Sequence, residues 1–235
     1  MEGLPTYISF IFIACAIATY GFAYYAPRLA APQRRTANYV AAILGVWLLL
    51  TALLAHDGFF LDFDFRPPRL MIFVFIIFLG GISLFFFKSC RRFFELIPIT
   101  TLTYLHIIRV PIEIVLWWLF QEELVARAMT FEGVNYDILS GITAPFAALF
   151  LVGQKRKNKI GAIIWNFIAL GLLINIVSRA ILATPYFFNP ELFDQPNLAV
   201  FYFPFIWLPA FIVPMVFFAH AISLYKLFKE SPEEE

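Results

Sequence analysis

The hydrophobic and polar positions of the chain alternate in blocks, with long apolar runs separated by short polar segments. A transmembrane helix needs roughly 17–25 mostly apolar residues. The apolar runs predict seven membrane-spanning helices, at Pro5–Tyr25, Ala37–Ala55, Leu70–Phe87, Ile99–Phe120, Ile138–Val152, Ile160–Ala183 and Val200–Tyr225. We therefore expect an all-α, polytopic membrane protein in which residues 1–235 form a single bundle of seven transmembrane helices.

Composition supports this expectation. The chain is 62% hydrophobic and only 14% charged, whereas soluble domains have about 45–50% apolar and about 25% charged residues. Because a soluble fold could not bury this much apolar surface, the lipid bilayer is the expected partner. The net charge of +1 gives no overall field that would attract nucleic acid, so a nucleic-acid partner is not expected.

The basic residues indicate the orientation of the chain. One set of alternate loops contains most of them, namely Arg28, Arg34, Arg35, Lys88, Arg91, Arg92, Lys155, Arg156, Lys157, Lys159, Lys226 and Lys229. The loops on the other side contain Arg66, Arg69 and Arg127. Since short cytoplasmic loops are enriched in Lys and Arg, we expect a multi-pass protein of the cell membrane with its N-terminus outside and its C-terminus in the cytoplasm.

The loops on the expected outer side are rich in aromatic and acidic residues. Segment 59–65 alternates Phe with Leu or Asp, which predicts an interfacial segment with its rings in the membrane and its carboxylates in water. The alternative is a lid over an outward-facing cavity. Either arrangement also offers a docking surface for a membrane-protein partner.

The fifth predicted span is unusually short. Its 15 residues would cover about 22 Å of a hydrocarbon core of about 30 Å. It also contains Gly141 and Pro145, and interrupted short spans line binding sites in transporters. Asn135 or Asp137 could cap its N-terminus, and that end of a helix favours an anion.

The fourth span contains three ionisable residues on one helical face. His106, Arg109 and Glu113 are spaced three and four residues apart, and Arg109 would lie about 15 Å deep, near the middle of the membrane. A charge at this depth costs at least ~2.5–3.5 kcal/mol, so the face must point into the bundle. Two interpretations remain open: a structural ion pair between Arg109 and Glu113, or a site for a ligand or a proton.

Further polar residues fall at matching depths on neighbouring spans. We expect Asn175 at the depth of Glu113, and His220 with Asn166 near the depth of His106. Arg179 would reach the outer interface, close to Glu132 and Asp137. The predicted ligand-binding residues are therefore His106, Arg109, Glu113, Glu132, Asp137, Asn175, Arg179 and His220.

Several familiar chemistries are absent from the sequence. No predicted span contains a lysine, which excludes a retinal Schiff base. The histidines are dispersed and no Cys-x-x-Cys occurs, so no metal site is expected. Glu122-Glu123-x-x-x-Arg127 matches the first motif of CAAX-type proteases, but the histidine motifs of those enzymes are missing. No catalytic residue is assigned; we expect a non-enzymatic protein and leave an enzyme open.

Three functions fit these patterns. The first is binding or transport of a small, anionic ligand, with or without proton coupling, at a polar site lined by spans four to seven. The second is a non-catalytic structural or accessory subunit of a membrane complex, in which the buried charges only hold helices together. The third is a b-type haem protein with His106 and His220 as axial ligands; otherwise no cofactor is expected.

The charge distribution generates a test of topology. A reporter that is active only in the cytoplasm should work when it is fused after Glu235 and should fail when it is fused before Met1, because the basic loops are expected to be cytoplasmic. Activity measured in intact cells gives the answer. The reverse pattern would contradict the predicted orientation.

Overall fold

The computed structural model describes residues 3–30, 34–153 and 158–229, and these are helical with no strand. Met1, Lys155, Arg156, Lys157 and Glu235 lie outside the described residues. The α-helices of the described chain are α1 Thr6–Ala30, α2 Arg34–His56, α3 Arg69–Leu84, α4 Lys88–Leu96, α5 Ile99–Leu105, α6 Arg109–Gln121, α7 Ile138–Phe150, α8 Lys159–Leu182 and α9 Val213–Lys229.

Length and composition identify the helices that can cross a membrane. Five helical stretches of the described chain are long and apolar enough: Thr6–Ala30, Arg35–His56, Ile99–Gln121, Lys159–Leu182 and Leu208–Lys229. The pair α3 and α4 also passes this test together but is bent by 88°, and α7 is a shorter apolar helix. The all-helical membrane protein expected from the sequence is therefore supported, with α7 as short as the sequence predicts.

The third span ends earlier than predicted. Helix α3 stops at Leu84, and residues up to Leu96 form the separate helix α4 at nearly a right angle. The physical reason is the basic cluster that begins at Lys88, which cannot continue into hydrocarbon. At the bend, Nη1 of Arg91 donates a hydrogen bond of 3.0 Å to the carbonyl of Phe85.

The last span begins later than predicted, and its prolines explain how. The predicted start at Val200 lies in a 3₁₀ turn, Ala199–Phe201, and helical structure resumes only with the π turn Leu208–Ile212 that precedes α9. Pro214 has no N–H for the carbonyl of Ala210, four residues earlier. The indole Nε1 of Trp47 on α2 donates to that carbonyl at 2.8 Å and so takes the place of the missing N–H.

A second proline shapes the fourth span. Helices α5 and α6 are joined by a 3₁₀ turn, His106–Ile108, three residues before Pro111. Because Pro111 cannot donate to the carbonyl of Ile107, the chain tightens there instead of continuing as a regular α-helix. This turn places His106 and Arg109 at the junction of the two helices.

The loops 57–68, 122–137 and 183–207 lie at one end of the bundle, which we call the long-loop end. The predicted interfacial segment 59–65 packs partly inside the protein instead, because Phe60 is fully buried and Phe63 stacks edge-on against Phe201 at 5.1 Å. An ion pair of 2.6 Å between Arg69 and Asp62 fixes the segment to the start of α3. The segment therefore packs against the loop after α8 and the start of α3.

Helix α7 packs closely against α5, α6 and the turn between them. The closest approach is at Gly141. A Cβ atom there would lie 2.7 Å from Cγ2 of Val110, 2.9 Å from the backbone nitrogen of Val110 and 3.2 Å from the carbonyl oxygen of His106. Since two of these atoms belong to the backbone, the absence of a side chain sets the distance between α7 and the fourth span.

This contact generates a stability prediction. Gly141→Ala should destabilise the protein by about 1–3 kcal/mol, because the added methyl group overpacks a backbone contact. Gly171→Ala on α8 is the matched control, since nothing lies within 4 Å of a Cβ atom at that position. The control should unfold at the wild-type temperature or higher, because alanine favours a helix by about 1 kcal/mol over glycine. Equal thermal unfolding of both variants in detergent would contradict the contact.

Candidate functional site

Arg109 lies at the start of α6, almost fully buried, and its main partner is Asp137. Its Nε donates to one carboxylate oxygen of Asp137 at 2.6 Å, and its Nη2 donates to the other. Nη2 also donates to the carbonyl of Ala169 on α8 at 2.8 Å. The predicted pair between Arg109 and Glu113 is therefore wrong, because the carboxylate of Asp137 receives the fork of the guanidinium.

This pairing also changes the role predicted for Asp137. The residue stands at the N-cap position of α7, but its side chain makes no capping hydrogen bond. It is buried and reaches across to Arg109 instead of lying at the mouth of the protein with Glu132 and Arg179. A buried carboxylate and a buried guanidinium each need the other, since either alone would be an uncompensated charge at low dielectric.

His220 on α9 is the third hydrogen-bond partner of Arg109. Nη1 of Arg109 lies 3.2 Å from Nε2 of His220, and Nδ1 of His220 lies 2.9 Å from Oδ1 of Asn166. A guanidinium can only donate, so Nε2 of His220 must accept and its proton must lie on Nδ1. Asn166 in turn donates from Nδ2 to the carbonyl of Ala162 at 2.9 Å. The hydrogen bonds thus assign a neutral His220 with one defined tautomer.

His106 stacks on His220, with ring centroids 3.9 Å apart and an interplanar angle of 24°. Trp165 lies edge-on to His106, with centroids 5.4 Å apart. His106 is fully buried, and neither of its ring nitrogens has a hydrogen-bond partner among the described residues. The sequence prediction that the two histidines share one depth agrees with this stack.

The same stack tests the haem alternative. Axial imidazoles approach an iron from opposite sides with their nitrogens pointing at it, whereas His106 and His220 lie face to face with no space between the rings. Both nitrogens of His220 are also engaged, by Arg109 and by Asn166. These two residues therefore do not fit a haem in this arrangement.

Glu113 lies one helical turn beyond Arg109 and is held by Asn135. Nδ2 of Asn135 donates to Oε2 of Glu113 at 2.6 Å and to the carbonyl of Met129 at 2.9 Å. Oδ1 of Asn135 accepts from the backbone N–H of Asp137 at 3.0 Å. One buried amide therefore positions both carboxylate-bearing residues of the site. Sequence reasoning considered Asn135 only as a helix cap.

A cavity of about 330 Å³ reaches these charged residues. It is walled by α3, α6, α8 and the start of α9, and Arg109, Glu113 and Asp137 line its inner end. Almost all the remaining walls are aliphatic or aromatic, as at Val74, Leu173 and Val213. The volume lies at the low end of the range of about 300–1,000 Å³ for small-molecule sites.

The other end of the cavity lies under the long-loop end. Thr184, Tyr186 and Asn197 line it there. The hydroxyl of Tyr186 donates to the carbonyl of Asp62 at 3.1 Å, and burial raises the pKa of this phenol above its usual value. Tyr186 therefore stays protonated and connects the loop after α8 to the loop before α3.

Five of the eight predicted site residues do not line this cavity. His106 and His220 belong to the network around Arg109, whereas Glu132, Asn175 and Arg179 lie apart from both the cavity and that network. Asn175 on α8, which was expected at the depth of Glu113, donates from Nδ2 to the carbonyl of Val134 at 3.0 Å and accepts from Nε of Arg179 at 3.1 Å. Glu132 is exposed and accepts a hydrogen bond of 2.8 Å from Nε1 of Trp117. These contacts hold the 122–137 loop against α6 and α8.

The hydrogen bonds of Arg109 predict that the stability of the fold depends more on Asp137 than on Glu113. Asp137→Leu should destabilise the protein by about 3–5 kcal/mol, because it leaves Arg109 as an unpaired buried charge. The double variant Arg109→Met/Asp137→Leu should recover much of this loss, because the desolvation cost of both charges disappears. Thermal unfolding of the purified protein measures both effects.

Glu113→Leu provides the comparison. It removes one hydrogen bond to Asn135 but leaves Arg109 paired, so its cost should be about 1–3 kcal/mol at most. A larger loss of stability for Glu113→Leu than for Asp137→Leu would restore the original pairing of Arg109 with Glu113 and overturn the one described here.

Comparison with known proteins identifies a family for this chain. No curated protein and no solved structure matches the chain. A family model described as "Domain of unknown function (DUF8737)" matches residues 67–228, a range that contains α3 to α8, most of α9 and every residue that lines the cavity. Because this range is more than half of the sequence, the chain belongs to the family described as Domain of unknown function (DUF8737).

Proposed function

We propose that this protein is a seven-span protein of the cell membrane that binds a small ligand in the cavity between α3, α6, α8 and α9. The observation that carries the proposal is an apolar cavity of about 330 Å³ with Arg109, Glu113 and Asp137 at one end. Small-molecule sites combine a mostly apolar lining with a few converging polar groups in this way. Binding is the step that a carrier and a receptor share.

The count of seven adds α3 and α7 to the five long spans. Helix α7 has only 13 residues, or about 20 Å of helix, but the turn that precedes it is buried through Asn135 and Asp137. Irregular backbone at membrane depth is tolerated where protein satisfies its polar groups. The orientation with the N-terminus outside rests on the basic loops and places the long-loop end on the outer side.

The geometry changes the ligand that the sequence suggested. An anionic ligand was expected because Arg109 looked available, but Asp137 already compensates the charge of Arg109. The less engaged group is Glu113, whose side chain has one hydrogen bond within the described ranges, from Asn135. We therefore propose a ligand whose polar group bonds to Glu113, rather than an anion held by Arg109.

The second candidate is a structural or accessory subunit. It is favoured by the hydrogen bonds of Arg109 to Asp137, His220 and Ala169, which compensate its charge as a structural role requires. It does not explain a cavity that ends at charged groups, because helix packing alone favours filled space.

The test is to identify small molecules that copurify with the protein. Val177→Trp should fill the cavity, since Val177 lines it. Ile174→Trp is the matched control on the same helix, at a residue that is 54% exposed and does not line the cavity. We expect mass spectrometry of extracts to show a compound in the wild type and in Ile174→Trp that is depleted in Val177→Trp. Identical extracts from all three would favour the structural role.

A further inference from the structure

The cavity has a side that faces the membrane. Helices α3 and α8 both line it, yet they are not among the closely packed helix pairs of the described chain, since α3 packs on α9 and the π turn before it while α8 packs on α7 and α9. Two lining residues are also on the outer surface: Phe75 of α3 is 65% exposed and Ile181 of α8 is 40% exposed. The gap between these helices therefore opens towards lipid.

The lining determines what can fill the space. The cavity of about 330 Å³ has room for several waters, but an apolar cavity does not hold water. An aliphatic chain is the matching occupant, because it gains the same dispersion contacts inside as in the bilayer and fills the void. The small volume admits one chain rather than the two of a phospholipid.

The hydrogen-bonding groups at the inner end determine the head of the occupant. A guanidinium has five N–H donors, and Arg109 uses four of them, on Asp137 twice, on Ala169 and on His220, which leaves one on Nη1. Oε1 of Glu113 has no hydrogen-bond partner within the described part of the chain. Both residues line the cavity, and we take this remaining donor and this remaining acceptor as the polar contacts for its occupant.

Resting on the proposed ligand-binding function, we propose that the ligand is a single-chain aliphatic alcohol that enters from the bilayer between α3 and α8. Its hydroxyl donates to Glu113 and accepts from Arg109, and its chain lies along the wall formed by Val74, Leu173 and Val177. A carboxylate can only accept and an ammonium can only donate, so each satisfies one of the two groups. A hydroxyl satisfies both.

The experiment uses the purified full chain in lipid nanodiscs with a photoreactive probe, dodecan-1-ol carrying a diazirine near the end of its chain. Irradiation followed by peptide mass spectrometry should label α3 and α8. Val177→Trp should reduce labelling at least about fivefold, whereas Ile174→Trp should leave it unchanged. Equal labelling of both variants would mean that the probe only touches the lipid-facing surface, and would overturn the proposal.

Competition by unlabelled compounds tests the head group. Dodecan-1-ol should displace the probe at a concentration about tenfold lower than dodecyl methyl ether, which has the same chain and cannot donate, since one hydrogen bond supports a factor of up to about this size. Dodecanoate and dodecylamine should also compete less well than the alcohol. Equal competition by the ether and the alcohol would overturn the assignment of the hydroxyl.

The two proposals fail in different ways. If a water-soluble compound copurifies with the wild type but not with Val177→Trp, while the photoreactive alcohol labels no cavity peptide, the lipid-like ligand and the lateral entry are wrong and the binding function stands. If no compound copurifies and the alcohol labels no cavity peptide, both proposals are wrong.

Discussion

The buried positive charge of Arg109 is the constraint on which the central part of this structure depends. An unpaired guanidinium near the middle of a membrane is too costly to persist, so the chain brings Asp137, the carbonyl of Ala169 and His220 around it. These partners come from the start of α7, from α8 and from α9, so one side chain connects four helices. The requirement also accounts for the short α7, whose preceding turn must enter the bundle to bring Asp137 to Arg109.

A related constraint is that backbone groups at membrane depth need partners inside the protein. Trp47 supplies one for the carbonyl that Pro214 leaves free, and Asn135 supplies two for the turn before α7. Asn135 also holds Glu113, so the backbone of this turn and the carboxylate at the cavity depend on one amide. Structural and candidate functional groups therefore share the same hydrogen bonds. The two roles separate at Glu113, whose second oxygen has no hydrogen-bond partner among the residues that the structure describes.

The helices were largely predictable, because apolar runs of membrane-spanning length are a strong signal, and the short fifth span was recognisable from the length of its apolar run. Helix boundaries that depend on tertiary packing were not predictable, such as the late start of the last helix at Leu208.

The helical spacing of His106, Arg109 and Glu113 correctly placed them on one buried face. It could not show that Asp137 outcompetes Glu113 for Arg109, because that choice depends on a turn whose path is set by Gly141, Asn135 and the packing of α7. The aliphatic cavity walls were equally hidden, since lipid-facing and cavity-facing residues have the same composition in a membrane helix.

Arg109 and Glu113 differ in how much of their hydrogen-bonding capacity the protein itself uses, and this difference links the fold to the proposed activity. A charge that is fully compensated contributes to packing and offers little to a ligand, which describes Arg109 apart from one N–H. A carboxyl group with an unused oxygen beside an apolar void has the opposite character, because its remaining hydrogen-bonding capacity can be met only by something that enters the void. Water is a poor candidate for the whole space, since the walls beyond the charged end offer it no partners. The occupant that satisfies both conditions is amphiphilic, with a polar end at Glu113 and an apolar body along α3 and α8, and the surrounding bilayer is the nearest source of such molecules.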